Sequence, residues 1–179
     1  ISDHLMVYAA GGYRYGAREQ DFPSARSFDA VDEQGNFRVI NSWYDAYSRN
    51  KTGEIGARAN FDMFGIKHRV SLTGSILKSE AGSFYLSAPL SQKIDSNIYN
   101  PVQLIPMTGD RQSPTKNSET TLSSVALTDT LSFANDRVLI TGGLRKQQVK
   151  AENFNSAGAL TSSYHEGAIS PVAGIVARP

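Results

Sequence analysis

The feature that most constrains this chain is a two-residue hydrophobic period, repeated in facing segments joined by short turns. From Gly53 to Asp62, Ile55, Ala57, Ala59 and Phe61 fall on one side, and Glu54, Arg58, Asn60 and Asp62 on the other. From Lys67 to Leu77, Val70, Leu72, Gly74 and Ile76 alternate with Arg69, Ser71, Thr73 and Ser75. Successive strand residues point to opposite faces, so each segment predicts a strand with one apolar and one polar side. Asp62-Met63-Phe64-Gly65-Ile66 is short enough for a hairpin and supplies a glycine. A second hairpin repeats the plan. Val125, Leu127, Leu131 and Phe133 lead into the turn Ala134-Asn135-Asp136-Arg137, and Val138, Ile140, Gly142 and Leu144 return. Asp129 breaks the apolar face of that hairpin.

Extended segments flank the hairpins, from about Asp3 to Arg18 and from about Tyr164 to Arg178, the latter carrying Pro171. The predicted fold class is all-β: an antiparallel up-and-down meander of about six strands, forming part of a transmembrane β-barrel. The strands are expected at 3–18, 38–62, 67–79, 120–133, 138–153 and 163–178. Their connections alternate between short (62–66, 134–137) and long (19–37, 80–119, 154–163). A structureless link of about 40 residues is rare in a compact soluble domain. Short turns at one rim and long loops at the other are the plan of a membrane barrel. If strand 38–62 has no bulge, Trp43, Tyr47, Lys51 and Phe61 share one face. Tyr47 and Phe61 then lie about 33 Å apart along the membrane normal, suited to the two edges of the apolar band.

Composition excludes several classes. Eighteen basic against 17 acidic residues give a net charge of +1 and no reason to expect a nucleic-acid partner. There is no cysteine, hence no disulfide or thiolate chemistry. No apolar run reaches the length of a transmembrane helix. His4, His68 and His165 stand apart from any second ligand at metal spacing. No nucleophile motif or phosphate loop appears, so no enzyme is expected.

Several phrases carry a family resemblance. Ser-Ser-Val-Ala-Leu-Thr-Asp-Thr-Leu-Ser-Phe at 123–133 and Val-Leu-Ile-Thr-Gly-Gly-Leu-Arg at 138–145 resemble the barrel of TonB-dependent siderophore receptors of the ferrichrome type. Ser96-Asn97-Ile98-Tyr99-Asn100-Pro101, Gly53-Glu54-Ile55-Gly56-Ala57-Arg58, His68-Arg69-Val70-Ser71-Leu72 and Ile169-Ser170-Pro171-Val172-Ala173-Gly174 fit too. The resemblance implies a bacterial outer-membrane barrel of about 22 strands with a plug. Residues 1–179 would then be one partial barrel domain without that plug. The implied activity is uptake of ferric siderophores driven by the TonB complex acting through the missing plug, with outer-membrane lipid as surroundings. No cofactor is implied, since the siderophore carries the iron. Ligand-binding candidates are Tyr44 on the lumen side of the long strand, and Phe84, Tyr85, Tyr99 and Arg111 in the long outer loop. Aromatic and basic groups suit an anionic or neutral chelate. Glu54, Arg58, Asp62, Arg69 and Arg145, on lumen faces or rims, could pair across strands or contact the plug, and pairing is the favoured expectation. The alternatives are a passive porin-like barrel and a soluble extracellular β-sheet binding module; the latter would pack the apolar faces of 53–61 and 70–76 on a second sheet.

Overall fold

The structure is a computed structural model and describes residues 4–21, 23–24 and 31–178; the expected strand start at Asp3 lies outside them. Six long strands form one antiparallel sheet in the order β1 (Leu5–Arg18), β3 (Ser42–Met63), β4 (Ile66–Ser87), β6 (Thr115–Phe133), β7 (Val138–Phe154) and β8 (Leu160–Ala177). A second, two-stranded sheet pairs β2 (Asn36–Val39) with β5 (Ile94–Asn97). A 3₁₀ turn at Leu90–Gln92 precedes β5.

The meander follows from local chemistry. The β3–β4 turn is Phe64–Gly65, with φ of 52° and 76°. Paired positive φ values give the mirror-image turn whose twist matches that of the strands. In the β6–β7 turn Ala134, Asn135 and Asp136 all have positive φ. Ser132 donates its hydroxyl to Asp136, and Lys67 from β4 pairs with the same carboxylate at 3.1 Å. Both turns lie at one end of the sheet, the turn end; the long connections lie at the other, the loop end.

Strand β3 is unbroken in its register with β4 from Ser42 to Met63. Trp43, Tyr47, Lys51 and Phe61 therefore share one face, as the bulge-free reading expects. The register stacks Val7, Ala57, Leu72, Leu127, Leu144 and Pro171 in one apolar row. Among the described residues no layer covers this face: Ile55 is 62% exposed, Leu144 59% and Ile175 74%. Packing on a second sheet, which a soluble module needs, is not what these residues do. Toward the loop end the same face turns charged. Lys78 pairs with Glu119 at 2.6 Å, Lys150 with Glu152 at 2.8 Å and Arg49 with Glu80 at 3.4 Å.

The opposite face is polar and rich in hydroxyls. Ser75 meets Ser124 at 2.9 Å, and Thr130 meets Thr141 at 2.9 Å. Tyr8 lies flat across Gly56 to reach the Thr73 hydroxyl at 3.3 Å; a Cβ at position 56 would come within 2.3 Å of the ring. Glu54, Arg58, Asp62, Arg69 and Arg145 do not pair with one another, contrary to expectation. Arg145 donates to Ser124, and Arg58 lies 5.6 Å from the Tyr8 ring centre. The inner surface is thus satisfied by hydroxyls and π-faces rather than by a lattice of charge pairs.

Several details differ from the sequence reading. Strand β4 continues to Ser87 and β6 begins at Thr115, so the expected loop 80–119 contracts to 88–114. The long strand 38–62 is interrupted at Ile40–Asn41, and its first part, β2, leaves to pair with β5. Asn41 fixes the break: its side-chain amide donates to Ile105 O at 3.1 Å, its Oδ1 accepts from Ser42 N, and its O accepts from Ala88 N. Finally, β6 carries a bulge. Ala81 pairs with Ser118 but Gly82 with Lys116, leaving Asn117 as the extra residue.

In β8, Pro171 sits mid-strand opposite Leu144. The Arg178 N–H donates to Arg137 O. By alternation, even-numbered β8 residues bond toward β7 and odd-numbered ones face the open edge. Proline's missing N–H therefore faces outward and costs β7 nothing.

Candidate functional site

The small buried core of the chain is at the loop end. Val39, Ile40, Trp43 and Ala88 are buried, with Asn41, Ser42 and Asp45 beside them. The β1 chain continues past Arg18 along β3: Tyr44 N donates to Gln20 O at 3.0 Å, and Ser24 exchanges backbone bonds with Ile40. The segment leading into β6 folds against Trp43 and is fastened by Arg111. Its Nε donates to Asp45 Oδ2 at 2.6 Å, its Nη2 reaches both Asp45 Oδ1 and Gln20 O, and its guanidinium lies 5.4 Å from the Trp43 ring centre. Asp45 is only 3% exposed. The Arg111 hydrogen bonds hold its carboxyl below the usual carboxylate range, and the Gln20 N–H adds to this against the opposing effect of burial. Arg111, predicted as a ligand contact, is itself exposed and clamps the buried Asp45.

Tyr44 and Tyr85 face each other in register on the polar side of β3 and β4. The Arg18 guanidinium lies 4.9 Å from the Tyr44 ring centre. Ser42 Oγ lies 3.2 Å from the Tyr85 hydroxyl and 3.3 Å from Ser87 Oγ. Phe84 and Tyr85 are strand residues, not loop residues as expected. Being adjacent, they point to opposite faces, and Phe84 pairs with Asp45 on the far side of the sheet from Tyr44. Tyr99 stands at the tip of the β2–β5 sheet, 80% exposed, with its ring over Gly35. Asn97 Oδ1 accepts the Tyr99 N–H at 2.8 Å. Nearby, Asp32 accepts the Asn36 and Gln34 backbone N–H groups. Those bonds, Asn36 first, keep its carboxyl below the usual range.

Of the five candidates, then, the structure brings Tyr44 and Tyr85 together and sets Phe84, Tyr99 and Arg111 apart. It adds Arg18, Ser42 and Ser87, which sequence reasoning did not select. Arg18 was accessible in principle, since strand parity places it on the face of Arg14 and Tyr8; its neighbour across the ladder, Ala46, requires the register. The group presents two phenol rings and a guanidinium to open space, with the buried Ser42 hydroxyl behind them against Tyr85 and Ser87. Such a surface can stack on and hydrogen-bond a neutral or anionic oxygen-rich ligand. Among the described residues, no group of three or more His, Cys, Asp or Glu gathers to hold a metal ion, and no helix is long and apolar enough to cross a membrane. A face with an uncovered apolar band, edged by Tyr13, Tyr15, Tyr47 and lysines, fits the outside of a membrane barrel, whose strands alternate apolar outward and polar inward.

No family model matches the chain. A ferrichrome receptor of Yersinia enterocolitica, FcuA, is 34% identical over 188 residues, spanning 100% of this chain and 24% of that protein. Among solved structures, BauA, the ferric preacinetobactin receptor of Acinetobacter baumannii, superposes with a TM-score of 0.65 at 26% identity, over 95% of this chain and 25% of its own. PiuA, a siderophore receptor of the same organism, superposes with a TM-score of 0.56 at 16% identity and supports the fold alone. The chain spans about a quarter of the length of the proteins it matches.

Proposed function

We propose that this chain, a barrel segment belonging to the TonB-dependent siderophore receptors of the outer membrane, helps take up a ferric siderophore by presenting Arg18, Tyr44 and Tyr85 at the mouth of the lumen. The apolar face meets lipid and the polar face lines the lumen. The loop end, with its long connections and Tyr99, faces outside; the turn end faces the periplasm. The observation that carries this reading is the six-stranded sheet itself, bare and apolar on one side and polar on the other, with Arg18, Tyr44 and Tyr85 meeting at the loop end of the polar side. Likeness to receptors for ferrichrome and ferric preacinetobactin supports the ligand class.

On this reading the remaining barrel strands and the plug come from outside these residues, because a sheet with open edges is not viable in lipid. The siderophore holds the iron; the protein reads the chelate's outer surface. Tyr44 and Tyr85 offer ring faces for stacking and Arg18 offers charge, while the buried Ser42 hydroxyl steadies Tyr85. Inward passage would draw on the TonB complex acting through the plug.

The test is ferrichrome binding by the receptor that carries this segment, followed by fluorescence titration. Tyr44→Ala combined with Tyr85→Ala is expected to weaken binding about tenfold to a hundredfold, the scale of one or two aromatic contacts. Phe84→Ala, on the opposite face of the sheet from Tyr44 and Tyr85, is the control. Unchanged affinity in the double variant would overturn the placement of the site.

A further inference from the structure

The bulge in β6 re-aims a side chain. Ala81 pairs with Ser118 and Gly82 with Lys116, so Asn117 is the extra residue. Its Nδ2 donates to Ser83 Oγ at 2.5 Å, and Ser118 stands opposite Ala81. Ser83 and Ala81 share the lumen side of β4 with Tyr85. Asn117 and Ser118 therefore look into the lumen together, although neighbours in a regular strand look opposite ways. Gly82 makes room for the bulge: Thr115 O lies 2.5 Å from where a Cβ at position 82 would sit. Bulges recur beside functional sites for this purpose.

Asn117 closes one side of a recess of about 440 Å³ just below Tyr44. The floor is made of small residues, Gly16, Ala46, Ser48 and Ala81. They sit against one another across the ladder: Gly16 meets Ser48, Ser48 meets Ala81, and Ala46 meets Ser83. No long side chain therefore rises from the floor. Arg18 and Tyr44 form one wall, with the guanidinium 4.9 Å from the ring centre; Asn117 and Ser118 form the other.

The chemistry inside is one-sided. From the row of Arg14, Asn50, Ser79 and Thr120 up to Tyr44 and Tyr85, the lumen face of β1, β3, β4 and β6 carries no carboxylate among the described residues. Its charges are Arg14 and Arg18, both on β1. Guanidinium, amide and hydroxyl groups all donate, and the Asn117 amide has a second N–H beyond the one given to Ser83. A cationic guest finds no counter-charge here. A strongly anionic guest is matched on the β1 side alone, and its remaining charge would be desolvated unpaired. A neutral guest with several outward oxygens finds donors on both walls. A ferric hydroxamate is such a guest: three hydroxamates cancel the charge of the ferric ion and leave their oxygens as acceptors.

We propose that this recess seats one arm of a neutral ferric hydroxamate, and that Asn117, aimed by the β6 bulge, is the donor that selects it. The assignment rests on the mouth placement proposed above and extends it one row deeper into the lumen.

Two substitutions on different strands test it in the full receptor in detergent micelles. Asn117→Asp keeps the side-chain size and replaces the amide donor by a carboxylate. Ala46→Leu fills the floor. Ala151→Leu, on the lumen face of β7 outside the recess, is the control. Each receptor is titrated with ferrichrome, a neutral ferric hydroxamate, and with an anionic ferric tris-catecholate. The parent is expected to bind ferrichrome about tenfold or more tighter than the catecholate. At pH 7 each of the two recess variants should weaken ferrichrome binding about tenfold, the scale of one hydrogen bond, and the control by less than about threefold. At pH 4 about half of the introduced carboxyl is protonated and donates again, so the Asn117→Asp deficit against the parent at the same pH should shrink to about twofold to threefold. A proton would not repair a damaged bulge. Ferrichrome affinity within about threefold of the parent in either recess variant overturns the recess; if Tyr44→Ala with Tyr85→Ala has lost affinity, the mouth placement survives that failure. An Asn117→Asp deficit that stays about tenfold at pH 4 overturns the donor role. A parent that prefers the tris-catecholate, or binds no ferrichrome, overturns the ligand class.

Discussion

Removing the Arg111 side chain is the sharpest test of how the loop end is held. In Arg111→Ala, Asp45, 3% exposed in the parent, keeps only the Gln20 N–H as a donor. Three side-chain hydrogen bonds disappear, two to Asp45 and one to Gln20 O, together with the cation over Trp43. Deleting one partner of a buried ion pair costs about 3–5 kcal/mol, most of it from the carboxylate left behind; because Arg111 is exposed, the lower part of that range applies. The segment can instead peel away and hydrate Asp45, so the loss should appear as local opening and not as unfolding of the barrel. At 1.4 kcal/mol per tenfold, opening should become on the order of a hundredfold to a thousandfold easier. Hydrogen exchange of the receptor in detergent micelles reads this directly. The amides of Gln20, Ser24, Ile40 and Tyr44, which bond around the clamp, should lose protection, while mid-strand amides of β6 and β7 keep theirs. Arg111→Lys, with charge but no fork, should fall between. Protection at Gln20 and Tyr44 within about threefold of the parent would refute the reasoning, because a change that small is worth well under 1 kcal/mol.

Acid should loosen the same region. Asp45's folded value is depressed, so its contribution is full above about pH 4, the ordinary carboxylate range, and is lost as pH falls through the lower folded value; exchange at Gln20 followed from pH 6 to pH 3 checks this. Gly82→Ala should cost about 1–3 kcal/mol, because its Cβ would lie 2.5 Å from Thr115 O and 2.2 Å from the Tyr47 ring; Gly142→Ala, with nothing within 4 Å, should be near neutral by urea unfolding in vesicles. Phe64, 92% exposed with φ of 52°, occupies a backbone state that suits Asn. Phe64→Asn should therefore raise stability by about 1 kcal/mol in the same assay, and a loss instead would show that the ring is anchored.

The membrane-level part of the fold was legible in the sequence because lipid on one side and lumen on the other impose the two-residue period. Ile55 to Phe61, Val70 to Ile76, Val125 to Phe133 and Val138 to Leu144 all keep it, and all are strand. The signal fades where β4 runs on through Glu80-Ala81-Gly82-Ser83-Phe84-Tyr85. There both faces leave the bilayer and the alternation no longer separates apolar from polar, although the ladder continues. That is why Phe84 and Tyr85 read as loop, and why β6 was started at Thr120 instead of Thr115. Asp129 looked like a flaw because its partner, His68, is 61 residues away. Arg111 looked free for a ligand for the same reason: its carboxylate is 66 residues upstream. Diagonal contacts and clamps depend on register between distant strands, which local periodicity does not encode.

Pro171 has a consequence beyond its own strand. Its nitrogen faces the side of β8 that no described strand occupies, and its side chain lies in the apolar row with Leu144. Whatever strand completes the sheet there will bring a carbonyl to a place where no hydrogen is offered. In hydrocarbon such an oxygen is costly to strand. A bulge in the incoming strand at that level would turn the oxygen toward a lumen-side donor or water. A proline in one strand thus leaves its neighbour one hydrogen bond short, and the wall should be most easily bent, and its ladder thinnest, at that seam.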